Sequence, residues 1–412
     1  MFAGCGTNQV NEAANADSPA ASLKAGQAKA GDWPQWRGPN GDGISPETDW
    51  TAEWPADGPR QLWQAEVGIG FSSVSVADGK LYTMGHVGDD DLVWCLNAES
   101  GTLVWKHAYP CKLVDNLHEG GPAATPTVDG SRVFTVSKEG QVFALDSQSG
   151  SVNWQVELQD LLGVKMPDWG FSCSPLVQGD MLIIEAGRTV ALNKNTGEVI
   201  WKTERFRPGY GSAAAFTLGG EALLAVLNND VLLVLRARDG GVVDQFKWET
   251  SFATSACTPI VSGNKIFIST GYNRGCCLLE LSNGKLNPLY DNKNMRNHMN
   301  NCVLLEGKLY GFDGNSHARR LVNLVCMDFE TAEVHWKEKG LGCGSLMAAG
   351  GKLIVLSDEG ELITTPATPT GFKPLAKAKA LDGKCWTVPV LARGRIYCRD
   401  AAGDLVCLDV KK

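Results

Sequence analysis

The feature that most constrains this 412-residue chain is a glycine turn that closes a short apolar run and recurs eight times. It stands at Gly79, Gly130, Gly179, Gly220, Gly263, Gly307, Gly351 and Gly394, with gaps of 41 to 51 residues. A β-rich run follows each turn, as in Lys80-Leu81-Tyr82-Thr83, Arg132-Val133-Phe134-Thr135-Val136, Lys265-Ile266-Phe267-Ile268 and Arg395-Ile396-Tyr397-Cys398. After a short loop comes a second run, Val142-Phe143-Ala144-Leu145-Asp146 or Leu405-Val406-Cys407-Leu408-Asp409. A second turn then precedes a tryptophan by four residues, at Gly101 to Trp105, Gly150 to Trp154, Gly197 to Trp201 and Ala332 to Trp336. Four strands in ~45 residues make one blade of a β-propeller. The eight landmarks therefore predict an all-β, eight-bladed propeller of four-stranded antiparallel blades.

The eighth blade runs out at Lys412, before its tryptophan-bearing outer strand. Arg60-Gln61-Leu62-Trp63-Gln64 has that strand's character, so the N-terminal segment is expected to complete the last blade and remove the open edges of the ring. The seventh blade is the least regular, because Gly371-Phe372-Lys373-Pro374 interrupts it and no tryptophan closes it.

Composition narrows the function. The 47 glycines and 13 tryptophans suit turns between aromatic-rich strands, and the net charge of −8 argues against nucleic acid, whose binders need a basic face. No stretch approaches the ~18–20 apolar residues of a membrane span. Met1-Phe2-Ala3-Gly4-Cys5 looks like the end of a bacterial lipoprotein signal, with Cys5 as the acylated residue. The expectation is a lipobox remnant over 1–5, a flexible tether over 6–31 that lacks periodicity and aromatics, and one propeller domain over 32–412. The protein would then be a periplasmic, lipid-anchored monomer of the cell envelope that meets the membrane only through its anchor.

The phrases Ala191-Leu192-Asn193-Lys194-Asn195-Thr196-Gly197-Glu198-Val199-Ile200-Trp201 and Ala144-Leu145-Asp146-Ser147-Gln148-Ser149-Gly150-Ser151-Val152-Asn153-Trp154 resemble the repeat of quinoprotein-type (PQQ-like) propellers. In that repeat the glycine makes the turn and the tryptophan fills the space between blades. Trp33-Pro34-Gln35-Trp36-Arg37-Gly38-Pro39-Asn40-Gly41 and Gly383-Lys384-Cys385-Trp386-Thr387-Val388-Pro389 are similar to a narrower group. These are the BamB-like secreted or lipid-anchored propellers of planctomycete-type bacteria, called after the propeller lipoprotein of the outer-membrane assembly machinery. The resemblance implies a non-catalytic binding or scaffolding propeller with an envelope protein or peptide as partner. The alternative it implies is a PQQ- or sugar-dependent oxidoreductase with Ca²⁺ and the ligand at the channel mouth.

The catalytic quinoproteins stack a vicinal disulfide on the quinone, and this chain has Cys276-Cys277. The turn at Gly284 places both in a regular strand, where neighbours point to opposite faces, so two unlinked core thiols are expected. Cys95, Cys326 and Cys407 hold the strand position of Ala144 and Ala191 in sister blades, which marks them as small buried hydrophobes. Cys111, in a long loop, is the one cysteine expected to pair. The six histidines show no close ligand spacing, so no metal and no resident cofactor are expected, and no catalytic motif is present. The run Asp89-Asp90-Asp91 reads as a solvated loop.

Function in a propeller gathers on the face where each chain connection crosses inward to the next blade. The crossing and middle loops supply His118, Glu119, Trp169, Arg205, Arg207, Tyr210, Tyr272, Arg274, Arg296, His298, Asn300 and His317. These are the candidate binding residues. A gathering of the four arginines would favour an anionic or carbohydrate-like ligand or an acidic peptide.

Overall fold

The computed structural model describes residue 1 and residues 29–412, so Cys5 and most of the expected tether lie outside the described residues. Eight sheets follow one another along the chain, seven of them formed in sequence order from residue 75 to residue 379. The eighth joins three C-terminal strands, Val390–Ala392, Arg395–Arg399 and Asp404–Asp409, to the N-terminal strand Gln61–Glu66. Trp63 pairs with Cys407 and Gln64 with Val406 in antiparallel register. The ring is thus closed by a strand from the opposite end of the chain, as the repeat count required. No described helix is long and apolar enough to cross a membrane.

Between blades the repeat works through one contact made many times. The indole N–H of each outer-strand tryptophan donates to a backbone carbonyl in the turn of the following blade: Trp105 to Ser147, Trp154 to Lys194, Trp201 to Ala237 and Trp336 to Thr368, at 2.8–3.2 Å. The turn glycine lies flat against the same ring. A Cβ on Gly150 or Gly197 would stand 2.6 or 2.8 Å from the neighbouring indole, and both glycines have positive φ. Across each sheet the tryptophan needs a small partner. Trp105 is registered against Cys95, Trp154 against Ala144, Trp201 against Ala191 and Trp336 against Cys326. That register explains why cysteine and alanine interchange there.

The seventh blade departs from the pattern in two ways. Phe372, in the interrupting segment, packs against Trp336 with ring centroids 6.0 Å apart, so the interruption supplies part of that tryptophan's seat. A fifth strand, Ile44–Ser45, also runs parallel to the blade's innermost strand through Ala348 and Ala349. It belongs to an N-terminal segment that traverses the channel. Trp33 bridges to Val76, Pro34 accepts from Val128 N–H, Trp36 donates to Thr258 and Arg37 donates to the Cys302 carbonyl. The Trp33–Gly41 motif is therefore a plug that touches blades from both sides of the ring.

All twelve described cysteines are buried and free. Cys276 and Cys277 sit inside the strand Gly275–Ser282, paired across to Asn292 and Asp291, as their alternation demanded. The expectation for Cys111 is corrected. Its thiol is buried beside Asp91, and burial raises its pKa far above the ordinary value. The aspartate run is corrected as well, because Asp90 and Asp91 open the strand Asp90–Asn97. Asp91 is buried with Oδ1 2.9 Å from Nδ1 of His86, and burial raises its pKa.

Candidate functional site

The crossing loops surround a funnel of 790 Å³ at one end of the channel. Its wall is built from residues just ahead of the inner strands, among them Phe71, Ser172, Ser212, Asn300 and Trp386, together with middle-loop residues such as Tyr272, His317 and Asp358. Trp36 of the plug also lines it, and lines the space along the inner strands below, so it forms the floor between them. The funnel is closed beneath because the plug is held by buried hydrogen bonds. Arg37 donates to the carbonyls of Gly41, Asp42 and Cys302.

Seven of the twelve candidate residues line the funnel: His118, Trp169, Tyr210, Tyr272, His298, Asn300 and His317. Glu119 stands behind them and accepts from Lys384, which does line it. The four arginines do not gather there. Arg274 makes a bidentate pair with Asp291 at 2.8 and 2.9 Å and lies 3.4 Å over the buried ring of Trp248. Arg296 is the counter-ion of Asp313, whose carboxylate is fully buried and binds it at 2.6 and 2.9 Å. A buried carboxylate without a cation is costly, so Arg296 is spent on the fold, while Arg274 is held by its exposed partner Asp291 and by the Trp248 ring. Arg205 and Arg207 are exposed outside the funnel wall.

The cations that do line the funnel are Lys138, Arg319 and Lys384. Arg319 bonds Asp358 at 2.7 Å and Glu359 at 2.6 Å, and those hydrogen bonds raise its pKa. Lys138 is buried, donates to the Trp169 carbonyl at 2.7 Å, and is lowered to about 8 by desolvation. Sequence reading missed Trp36, Phe71, Lys138, Arg319, Lys384 and Trp386 as wall residues. Trp36, Lys384 and Trp386 lie in the two motifs that carried the narrower resemblance, which was the available signal.

Aromatic rings dominate the wall. Phe71 stacks on Trp386 at 5.4 Å and meets the edge of His118, Trp169 meets Tyr210 at 5.7 Å, and Tyr272 lies between His298 and His317 at 5.0 and 5.6 Å. Desolvation is the main cause that lowers both His118 and His298 to about 4, aided by Lys138 at His118 and by His317 at His298.

The residues present do not fit a quinone–calcium centre. Cys276 and Cys277 are separate core thiols, and of the three funnel carboxylates Asp358 and Glu359 are engaged by Arg319 while Asp382 stands exposed at the rim. Among the described residues no three His, Cys, Asp or Glu side chains converge on a cation position.

Fold and funnel together define a PQQ-like propeller with an aromatic, one-ended central pocket. The family model for outer membrane protein assembly factor BamB matches residues 55–160 and 89–322, and the chain belongs to that family. It is 23% identical to BamB of Yersinia pestis over 378 residues, covering 84% of this chain and 88% of that protein. The crystal structure of BamB from Moraxella catarrhalis superposes with a TM-score of 0.63 at 15% identity, over 85% of this chain and 99% of that one. The quinohemoprotein alcohol dehydrogenase of Comamonas testosteroni superposes at 0.71 with 12% identity, over 92% of this chain and 80% of that one. At such identities the two superpositions describe a shared fold.

Proposed function

We propose that this propeller is a non-catalytic binding module of the bacterial cell envelope, and that it docks a partner protein on the face that carries the funnel. The observation that supports this reading is a crown of exposed apolar side chains at the funnel mouth. Leu117 is 87% exposed, Phe252 70% and Leu321 75%, each on a loop that also contributes to the funnel or touches its wall. Leu117 and Phe252 also hold positive φ, at 64° and 62°. Strained backbone that presents apolar groups to water is a feature of recognition surfaces.

The relatives' description as outer membrane protein assembly factors supports an envelope partner concerned with that assembly. A lipid anchor on Cys5 would hold the ring at the membrane surface while the crown faces the partner. A resident quinone forms no part of this reading.

The test is photo-crosslinking in intact cells from positions 117, 252 and 321, with the outer-strand position 242 as control. One envelope protein crosslinked from all three crown positions, and not from 242, is the expected result. Equal crosslinking from the crown and from 242 overturns the docking reading. Calorimetric titration with PQQ, with and without Ca²⁺, should show no binding, and tight Ca²⁺-dependent binding would replace this reading with the oxidoreductase.

A further inference from the structure

Below the crown, the funnel has a chemistry of its own. Three aromatic platforms stand around the axis: Phe71 with Trp386, Trp169 with Tyr210, and Tyr272 with His317. Between them the wall is hydroxyl and amide, from Ser172, Ser212, Thr258, Asn300 and Thr387. Two of the cations at the wall, Arg319 and Lys384, already have carboxylate partners. Arg319 is held by Asp358 and Glu359, Lys384 by Glu119, and Asp382 faces Lys379 at 3.6 Å. Lys138 is buried on the Trp169 carbonyl. An anionic ligand would have to compete with carboxylates for Arg319 and Lys384.

Two histidines complete the set, and their tautomers are fixed by geometry. The backbone N–H of Gly120 donates to Nδ1 of His118 at 2.9 Å, and that of Ser316 donates to Nδ1 of His298 at 3.2 Å. A ring nitrogen that accepts a hydrogen bond carries no proton, so each imidazole is neutral with its proton on Nε2. Neither Nε2 has a hydrogen-bond partner among the described residues. The funnel thus offers two unspent N–H donors beside flat apolar rings.

Flat aromatic faces match the C–H faces of sugar rings, and neutral N–H, hydroxyl and amide groups match ring hydroxyls without asking for an ion. The volume of 790 Å³ lies within the ~300–1,000 Å³ of small-molecule pockets, so it holds a few rings and not a polymer. The Trp36 floor stops anything from threading through, so a ligand enters end first.

We propose that the funnel binds the end of an uncharged oligosaccharide, stacked on Trp386, Trp169 and Tyr272 and hydrogen-bonded by Nε2–H of His118 and His298. This site rests on the binding-module reading above and lies beneath the crown that would dock a protein.

The test is calorimetry and tryptophan fluorescence on the full chain, titrated with short neutral cello-, malto-, manno- and N-acetylated chito-oligosaccharides. Acidic sugars and an oligoglutamate peptide serve as controls. At least one neutral series should bind, with an affinity that is unchanged between low and high salt. Trp386→Ala and Trp169→Ala should each weaken it about tenfold or more in variants that still melt cooperatively above the assay temperature. His298→Phe should lose binding, whereas His298→Gln, which keeps both an acceptor for Ser316 N–H and a donor, should retain most of it. No binding by any neutral series at tens of millimolar overturns the proposal. Binding confined to acidic sugars or oligoglutamate, falling steeply with salt, overturns it in favour of an anion site. The crown crosslinks report separately: if they persist without sugar binding, only the glycan site falls, and if sugar binds without them, only the protein-docking reading falls.

Discussion

The indole N–H of Trp63 donates to the carbonyl of Ala98 at 3.2 Å, which ties the strand that closes the ring to the first blade. The Tyr397 hydroxyl donates to the same carbonyl at 3.1 Å, so two strands of the last blade hold one turn of the first. The same two blades also meet at the funnel, where Phe71 stacks on Trp386.

Gly101, in that turn, tests the seam without touching a polar group. Its φ is +72°, and an added Cβ would stand 2.6 Å from the Trp63 ring. Gly79 has φ +77° with nothing within 4 Å of its would-be Cβ. Both alanine substitutions incur the left-handed strain of ~1–2 kcal/mol, but only Gly101→Ala also displaces an indole. Urea unfolding should show Gly101→Ala the less stable of the two by a further ~1–3 kcal/mol. Equal losses would mean that the tryptophan does not rest on the turn.

Arg399 is buried and donates to the carbonyls of Gly68, Ser72 and Met84 and to the Thr83 hydroxyl. Desolvation lowers its pKa to about 9. Arg399→Met removes that donor from the Gly68 and Met84 carbonyls, while the Thr83 hydroxyl still donates to Ser72, and should cost roughly 1–3 kcal/mol in urea unfolding. It should also loosen Phe71, seen as a change in Trp386 fluorescence.

Buried histidines and a buried glutamate give opposite pH arms. The native state favours neutral His118 and His298, lowered to about 4, so their contribution is intact above the unfolded value of 6.5 and is lost as pH falls towards 4. Glu185 is raised to about 7 by burial, so the native state favours its protonated form. That contribution is intact below its unfolded value of 4.5 and is lost as pH rises through 7. Glu185→Gln should remove the alkaline loss, a gain of about 3 kcal/mol or less at pH ~8 relative to the parent. A melting-temperature profile of unchanged slope above neutrality would rule Glu185 out as its source.

The twelve described thiols are buried, and burial raises the pKa of each. In a Cys5→Ser variant they should be inert to a thiol reagent in the folded protein and react together in denaturant. Reductant should leave the melting temperature unchanged. A shift on reduction would reveal a disulfide the fold does not contain.

The blade count, the closing strand and the burial of Cys95, Cys326 and Cys407 were legible because each is a local rule repeated. A turn glycine, an alternating strand and a tryptophan four residues on say the same thing in blade after blade. Cys111 and Asp91 were misread because each occurs once, and whether a loop residue is buried depends on what packs over it. The arginines failed for a related reason: Arg296 is a ligand candidate in the chain and a counter-ion in the fold, and only Asp313 beside it decides which.

The sequence by itself determined that this chain closes into an eight-bladed ring with its connecting loops on one face, since periodic hydrophobicity and turn chemistry act within a few residues. Tertiary structure alone decided what that face offers. Trp36 becomes a floor and Phe71 meets Trp386 across the seam, because those encounters join segments far apart in sequence and packing and hydrogen bonding act only at contact.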